Sequence, residues 1–228
     1  LGMAYPGRYR PLLTEVHRLD DSKDKLNIIH QTELLEGFLK SFQLIKNVDL
    51  APFDLPGINR VVNRVGIVAG ASNNPQKCWA VEKWIALIKE LFHQMPNSEF
   101  MLFGTSNDCQ ISDAIETGCG VPVLNVTGKT NIKELGQKIA SCNVVVGNDT
   151  GGMHLANALG TPVVVLFGPT NLLVTGPFFN APKLFLQPEG CPEEGGSSIQ
   201  LLDSNDVKVR LVDFLSTEFR SKERLNVD

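Results

Sequence analysis

The sequence predicts an α/β domain with a doubly wound parallel β-sheet, covered by helices on both faces. Short β-branched runs alternate with amphipathic helical segments over residues 64–219, as in successive βαβ units. The strand candidates are continuously apolar, which is typical of strands buried on both faces. The chain of 228 residues is 43% hydrophobic and 20% charged, which excludes a disordered chain, a collagen and a disulfide-stapled miniprotein.

Five segments are predicted as strands because they are short, mostly apolar with β-branched or aromatic residues, and separated by turns and amphipathic helices. They are residues 65–69, 99–103, 122–125, 144–147 and 162–167. A helix is predicted over 79–95, where apolar residues at positions 81, 84, 85, 88, 91, 92 and 95 form one stripe. The last helix is expected over about 206–220.

A capping box predicts the start of another helix between the third and fourth strands. Asn131 offers the N-cap side chain and Glu134 stands at the third helical position, so each side chain can accept from the other residue's backbone N–H. Ile132, Leu135 and Ile139 then recur at helical spacing and are predicted to form the buried face.

The first 57 residues differ from the remainder. They offer one strand near 1–5, a charged stretch at 17–25, one helix near 31–44, and linker composition with two prolines and a glycine at 49–59. One helix and one strand bury too little apolar surface to fold alone. We therefore expect 1–57 to be the remnant of an N-terminal domain with its linker, and 58–228 to be the main domain.

Charge and cysteine content exclude several classes of site. With 21 basic and 25 acidic residues the net charge is −4, and no basic block is available for nucleic-acid phosphates. The five cysteines form no CxxC pair and no zinc-like spacing with histidine, so we expect reduced thiols and no metal site. The apolar runs are far shorter than the roughly 20 residues of a membrane span, and we expect a cytoplasmic protein.

The segment that follows the fourth strand is the first candidate site. The strand runs into Asp149, Thr150, Gly151 and Gly152 and then into an Ala/Leu-rich helix. Free N–H groups at this helix start, from Thr150 to Met153, would face the carboxyl edge of the sheet and bind an anion, most naturally a diphosphate. N-capping alone would also explain the first two residues.

His154 would lie near the same edge, where a packing role is the alternative to ligand contact. A second candidate is the loop after the first strand, with Gly70, Ser72 and Asn73 where a backbone must approach a ligand. The loop matches neither the dinucleotide-binding nor the Walker A pattern. Lys77 stands just before a helix start, where a cation opposes the helix dipole unless a phosphate is bound; a solvated lysine is the alternative.

The third candidate segment again consists of a strand, a glycine turn and a helix start. It contains Asp108, whose presence local N-capping would explain. Four ordered motifs now stand at consistent spacing: Asn148-Asp-Thr-Gly-Gly-Met-His-Leu-Ala-Asn-Ala-Leu-Gly with Phe167-Gly-Pro-Thr and Thr175-Gly-Pro, Gly70-Ala-Ser with Lys77 and Trp79, Phe103-Gly-Thr-Ser-Asn-Asp, and Asn125-Val-Thr-Gly-Lys-Thr. Together they resemble glycosyltransferase family 9, the ADP-heptose:lipopolysaccharide heptosyltransferases, and most closely the heptosyltransferase II type.

The resemblance implies a GT-B fold, in which two Rossmann-like domains face each other. The C-terminal domain of such enzymes holds the nucleotide-sugar and the N-terminal domain holds the acceptor, so this chain would be a donor domain with the tail of an acceptor domain. The implied reaction is an inverting, metal-independent transfer of heptose from ADP-heptose to the lipopolysaccharide inner core, without a cofactor. Peripheral contact with the inner face of the inner membrane would follow from that acceptor.

The resemblance also implies roles for individual residues. Lys77 and Asp149 would act in catalysis, Lys77 by pairing with the diphosphate. The other implied substrate contacts are Thr150, Gly151, Gly152 and His154 around the diphosphate and sugar, Ser72 and Asn73 in the phosphate loop, Asp108 at the nucleoside and Thr130 beside the nucleotide.

The sequence departs from the family pattern in three places. Lys77 is followed by Cys78-Trp79-Ala80, whereas the family usually has Arg or His and then Trp-Pro. Only Cys191-Pro192 stands where a paired-cysteine loop is common. The acidic residue that serves as general base in the family lies before the position matching Leu1. We therefore expect the chain to bind nucleotide but transfer sugar poorly, and a binding module without turnover is the alternative. A nucleotide-sugar epimerase is a weaker alternative, expected to show a glutamate-rich donor loop.

Overall fold

The computed structural model describes residues 2–3, 16–17, 49–71 and 74–225, and side chains as far as residue 217. The chain divides into two compact units, Leu1–Asp49 with Leu173–Thr175, and Leu50–Leu172 with Gly176–Asp228. In the first unit, β1 (Gly2–Met3) pairs in parallel with β2 (Val16–His17). The predicted strand at 1–5 is thus present over two residues, and the helix predicted near 31–44 lies outside the described residues.

The second unit is built on six parallel strands. They are β3 (Val61–Val68), β4 (Glu99–Leu102), β5 (Val123–Asn125), β6 (Cys142–Asn148), β7 (Val163–Leu166) and β8 (Lys183–Leu186), in the spatial order β5-β4-β3-β6-β7-β8. Among the described residues, the α-helices are α1 (Val81–Gln94), α2 (Cys109–Cys119), α3 (Ile132–Ala140), α4 (Gly151–Ala158), α5 (Leu172–Thr175) and α6 (Ser204–Leu225).

This strand order is that of a doubly wound sheet, so the predicted fold class is confirmed. From β3 the chain builds outward through β4 and β5, then returns to the middle and builds the other way from β6. The order reverses between β3 and β6, and a crevice opens there at the carboxyl ends of the strands.

Alternating residues of β6 show that both faces of the sheet are covered. Val144 and Val146 belong to one apolar core with Trp84 and Ile88 of α1, while Val145 belongs to a second core on the opposite face. All three valines are fully buried. Because successive strand residues point to opposite faces, the continuous apolar run recognised in the sequence supplies both cores.

The predicted boundaries are close to those observed, with three differences. β3 begins at Val61, four residues before its predicted start, and β8 was not predicted. The capping box of Asn131 and Glu134 is confirmed, with both bonds at 3.0 Å. Ile132 was predicted to be buried but is 73% exposed, because it lies on the first turn of α3 at the rim of a cavity.

All five cysteines are free thiols, as expected. No helix within the described part of the chain has the length and apolar composition needed to cross a membrane.

Candidate functional site

The carboxyl end of β6 places three consecutive polar residues at the crevice between β3 and β6. The first, Asn148, is fully buried. Its Nδ2 donates to the carbonyl oxygen of Ala69, 2.6 Å away, and its Oδ1 accepts from the backbone N–H of Trp79 at 3.3 Å. Asn148 therefore joins the end of β6 to the loop that follows β3, and a buried amide satisfied in this way fixes the two segments in register.

Asp149 collects two hydrogen bonds from distant parts of the chain. Its carboxylate is buried, and its Oδ2 lies 2.7 Å from Nζ of Lys77 and 2.8 Å from the donating Oγ1 of Thr170. The two donors are 72 and 21 residues away along the sequence. Lys77 ends a short 3-10 turn, Pro75–Lys77, and its side chain remains 22% exposed. The cation thus lies at the mouth of the crevice with one face open to solvent.

The start of α4 does not show the local capping that the sequence also allowed. Thr150 occupies the N-cap position with extended backbone, but its side chain makes no capping hydrogen bond. Within the described residues its Oγ1 is buried without a partner. Met153, predicted to offer a free N–H, instead donates to the carbonyl oxygen of Thr150 at 3.1 Å. Gly151 and Gly152 therefore supply the N–H groups that an anion could take at this helix start.

The space in front of Gly151 is open. A Cβ built on this residue would meet no atom within 4 Å. Since the helix N-terminus carries a partial positive charge, the open side of Gly151 and the ammonium of Lys77 form a positively polarised edge to the crevice.

A cavity of about 410 Å³ lies beside this edge, in the size range of small-molecule sites. Its polar border includes Gly70, Asp108, Thr130, Thr150 and Gly152. The remaining wall is mostly apolar, with side chains from the ends of β3 and β4 and from α3: Val68, Phe103, Ile132, Leu135 and Ile139. A flat apolar group and an adjoining anion could therefore be held together here.

Asp108 has a local structural role. It was expected to act as the N-cap of α2, but its side chain makes no cap bond there. Instead its Oδ2 accepts from the backbone N–H of Thr105 at 2.8 Å and from Thr105 Oγ1 at 2.7 Å, closing the 3-10 turn Ser106–Asp108. The carboxylate is buried against Gly70. The turn forms because the Asp108 side chain, three residues after Thr105, accepts from the otherwise free N–H of Thr105.

The thiol next to Lys77 is held in its neutral form. Burial raises the pKa of the Cys78 thiol above its ordinary value, the Asp108 carboxylate raises it further, and a backbone hydrogen bond with Ala71 opposes both. Because the thiolate is the nucleophilic form, Cys78 is a poor nucleophile at neutral pH.

The structure brings most of the predicted residues to one place. Lys77 and Asp149 are in contact, and Asp108, Thr130, Thr150 and Gly152 border the cavity. Gly151 opens α4 and His154 follows on the same helix, partly buried. Ser72 and Asn73 lie outside the described residues. Within the described residues, no group of three or more His, Cys, Asp or Glu side chains is arranged to hold a metal ion.

Sequence reasoning gave no role to Thr170 or to Asn148. The sequence contains a signal for each residue, namely its position just at or after a predicted strand. Asn148 ends β6, and Thr170 follows β7 in the Phe167-Gly-Pro-Thr motif. The carboxyl ends of neighbouring parallel strands meet at one sheet edge, so polar residues just beyond both strands are candidates to converge.

Comparisons with known proteins agree on one family. The model of glycosyltransferase family 9 (heptosyltransferase) matches residues 25–198. Lipooligosaccharide heptosyltransferase 2 of Haemophilus influenzae is 31% identical over 150 residues, which are 61% of this chain and 43% of that protein. Lipopolysaccharide heptosyltransferase 2 of Escherichia coli is 32% identical over 117 residues, 50% of this chain and 33% of its own length. The chain thus matches less than half the length of these curated relatives.

Solved structures show the same fold. The family 9 glycosyl transferase from Veillonella parvula aligns with a TM-score of 0.73 at 20% identity, covering 92% of this chain and 65% of that one. The E. coli heptosyltransferase WaaC, solved with ADP, aligns with a TM-score of 0.64 at 21% identity, covering 88% of this chain and 60% of that one.

Proposed function

The chain belongs to glycosyltransferase family 9, and on this basis we propose that it binds ADP-heptose as the donor half of a heptosyltransferase acting on the lipopolysaccharide inner core. The single observation that carries the proposal is the contact between Lys77 and Asp149 at the open start of α4. A cation, a helix N-terminus and a carboxylate at one edge suit a donor that carries both a diphosphate and a hydroxyl-rich sugar.

The diphosphate would lie against the cations rather than against Asp149. Lys77 and the N–H groups of Gly151 and Gly152 are donors, and each is favourable near a negative charge. The Asp149 carboxylate accepts only, so it would repel phosphate oxygens and instead accept from sugar hydroxyls. Its contact with Lys77 would hold the ammonium near the diphosphate before the donor arrives.

This division of roles supports an inverting transfer without a metal ion. As the bond between the sugar and ADP breaks, negative charge grows on the departing diphosphate, and Lys77 with the α4 N-terminus would stabilise it. The acceptor hydroxyl would attack the opposite face of the sugar carbon and lose its proton to a carboxylate of the acceptor-binding half. Configuration at that carbon would be inverted.

The apolar cavity would take the nucleoside of the donor. Phe103, Ile132 and Leu135 offer a surface for a flat base, and the exposure of Ile132 follows from its place at this wall. Thr130 and Asp108 would border the nucleoside on its polar side. The cavity adjoins Thr150 and Gly152 of the diphosphate edge, so one ligand could occupy both.

Relatives support the substrate class. Those matched most clearly are named lipopolysaccharide or lipooligosaccharide heptosyltransferases, and WaaC has been solved with ADP and with ADP-2-deoxy-2-fluoro heptose. Transfer to the lipopolysaccharide core would place the protein at the inner face of the inner membrane, as the sequence led us to expect.

Titration calorimetry with ADP and with ADP-2-deoxy-2-fluoro heptose tests the proposal. Lys77→Ala should weaken both ligands by about tenfold to a hundredfold, the value of a charge-assisted hydrogen bond of roughly 1.5–3 kcal/mol. Asp149→Asn should weaken the nucleotide-sugar more than ADP, because the lost acceptor faces the sugar. Binding should persist in EDTA.

Matched controls are Lys89→Ala on α1 and Asp213→Asn on α6, both exposed and outside the site. These should bind both ligands as the unaltered protein does. Equal affinity of Lys77→Ala and the unaltered protein for ADP would refute the diphosphate assignment. Product formation with a lipopolysaccharide acceptor would separate a transferase from a binding module.

A further inference from the structure

The segment that carries Lys77 is held by a side-chain amide from a distant part of the chain. Gln200 Nε2 donates to the carbonyl oxygen of Cys78 at 2.6 Å, and Gln200 Oε1 accepts from the backbone N–H of Ala80 at 3.0 Å. Gln200 is about 120 positions further along the sequence, in the 3-10 turn Ile199–Leu201. One side chain thus bonds the backbone on both sides of Trp79.

This pairing has the pattern of a β-bridge. In a parallel ladder, one residue's N–H and C=O bond the C=O and N–H that flank a residue of the neighbouring strand. The Gln200 amide supplies the same donor and acceptor from its side chain, with Trp79 as the bridged residue. The Trp79 N–H is taken from a different direction by Asn148 Oδ1 at 3.3 Å. Two side-chain amides, of Gln200 and Asn148, therefore bond three backbone groups after Lys77. These groups are the carbonyl of Cys78 and the N–H groups of Trp79 and Ala80.

Neighbouring contacts hold the 3-10 turn itself in place. The indole Nε1 of Trp79 donates to the carbonyl oxygen of Leu202 at 3.0 Å, and Nζ of Lys83 donates to the same oxygen at 2.7 Å. Trp79 is buried and packs edge-on against Trp84, with ring centroids 5.0 Å apart. Gln200 is exposed, but the turn that presents it is anchored to buried groups.

The two hydrogen bonds of Gln200 to Cys78 and Ala80 form a clamp on this segment. The clamp depends on the identity of residue 80. Residue 80 is alanine, so its backbone N–H is present and needs an acceptor, whereas proline at this position would offer none. Gln200 provides that acceptor and at the same time restrains the Cys78 carbonyl, one residue after Lys77. The ammonium of Lys77 lies 2.7 Å from Asp149 Oδ2, and a restrained backbone at Cys78 favours this contact because fewer conformations of Lys77 then compete with it.

We infer that Gln200 is a positioning residue, which acts through the backbone of Cys78 and Ala80 to hold the Lys77 ammonium against Asp149. The importance of that position for the donor rests on the proposed function. The inference that Gln200 positions Lys77 does not rest on the proposed function, because it concerns only where the Lys77 side chain lies in the protein without a donor.

Two substitutions separate hydrogen bonding from packing. Gln200→Ala removes both bonds. Gln200→Glu keeps the shape of the side chain but places a carboxylate oxygen against the Cys78 carbonyl, where no donor remains. If Gln200 only packs, the glutamate variant will behave as the unaltered protein does. Gln94→Ala, an exposed glutamine at the far end of α1, is the matched control.

The primary measurement is the rate at which trace acetic anhydride labels Lys77 in the folded protein, read by mass spectrometry with exposed Lys89 as internal reference. Loss of the clamp should raise labelling of Lys77 relative to Lys89 about two- to tenfold in both Gln200 variants, the range set by one or two lost hydrogen bonds, and should leave Gln94→Ala unchanged. An unchanged ratio in Gln200→Ala, or in Gln200→Glu, would overturn the inference.

Titration with ADP then separates this inference from the proposed function. If the unaltered protein binds ADP, both Gln200 variants should bind it about two- to tenfold more weakly, and undiminished affinity would also overturn a role in positioning Lys77 for the donor. If the unaltered protein does not bind ADP, the proposed function fails, and the labelling ratio still decides whether Gln200 positions Lys77.

Discussion

Two turns at the same sheet edge place a buried aspartate after a strand, but the two side chains are satisfied in opposite ways. After β4, Asp108 accepts both of its hydrogen bonds from Thr105, three residues away. After β6, Asp149 accepts from Lys77 and Thr170, 72 and 21 residues away. The first aspartate shapes its own turn, whereas the second joins three segments.

The difference is between the structural role of Asp108 and the binding role that we propose for Asp149. A carboxylate bonded by its own turn lowers the free energy of that turn wherever it occurs. A carboxylate bonded by a lysine and a threonine from other loops holds those loops together, and we propose that a ligand hydroxyl shares this carboxylate with them. Sequence spacing alone allowed N-capping by both residues, since each follows a strand and precedes a helix.

The largest expected effect comes from Gly70→Ala, which tests how firmly the Asp108 turn is fixed. A Cβ at residue 70 would clash with Oδ1 and Cγ of Asp108, and the two hydrogen bonds from Thr105 to Oδ2 oppose rotation of that carboxylate. We expect a loss of about 1–3 kcal/mol in the free energy of unfolding, measured by denaturant titration. Gly151→Ala is the control, because its Cβ meets open space. A neutral Gly70→Ala would show that the turn is loose.

Asp108→Ala should have the next largest effect on stability. It removes the acceptor for two donors of Thr105, and loss of a capping side chain costs about 0.5–2 kcal/mol. Combined with Gly70→Ala, it should cost less than the sum of the single changes, because the clash disappears with the carboxylate. Strictly additive unfolding energies from the same titrations would contradict the contact between residues 70 and 108.

Thr170→Val tests the other aspartate with a smaller effect. Asp149 would keep Lys77 but lose the hydroxyl donor, so we expect affinity for ADP-2-deoxy-2-fluoro heptose to fall about two- to tenfold by calorimetry. Thr217→Val on α6 also loses one hydrogen bond, to the Asp213 carbonyl, but should bind the ligand normally. Equal affinities in the two variants would remove Thr170 from the site.

The smallest effect concerns the thiol that senses the Asp108 charge. Because burial and that carboxylate raise the pKa of Cys78, its alkylation by iodoacetamide should be slow at neutral pH and should accelerate only above the ordinary thiol range. Asp108→Asn removes the charge, lowers the pKa of Cys78 and should accelerate alkylation modestly at a given pH. The rate is read from the peptide that contains Cys78. A rate indifferent to Asp108 would mean that burial alone sets this pKa.

The central strands β6 and β7 were predictable because their sequences are dominated by apolar, β-branched residues. β6 and β7 have buried residues at almost every position, and such runs have few alternatives to a buried parallel strand. β8 was missed because it starts with Lys183 and buries only Leu186 fully. It lies at the edge of the sheet, where one side has no strand partner among the described residues and the apolar pattern weakens.

For the candidate site, sequence could predict the edge but not the contacts. Asp149 was assigned to the carboxyl end of a strand and Lys77 to the helix start after another strand, and a parallel sheet brings such segments to one edge. That they touch each other, with Thr170 on the same oxygen, depends on loop conformations far apart in sequence. Gln200 belongs to no motif and follows no strand directly, so only the folded chain reveals that its amide matches the backbone around Trp79.

The fully buried Asn148 joins two parts of the sheet that are synthesised at different times. Its Nδ2 bonds the Ala69 carbonyl 79 residues earlier, and the central strand pair that it closes is equally non-local. At about 5–20 residues per second of synthesis, the first strand of the sheet waits on the order of 4–16 s for its central neighbour to leave the ribosome. During that time β4 is the native sheet neighbour of β3 that has already been synthesised, and the edge of β3 that later pairs with β6 is open to chaperones or to aggregation.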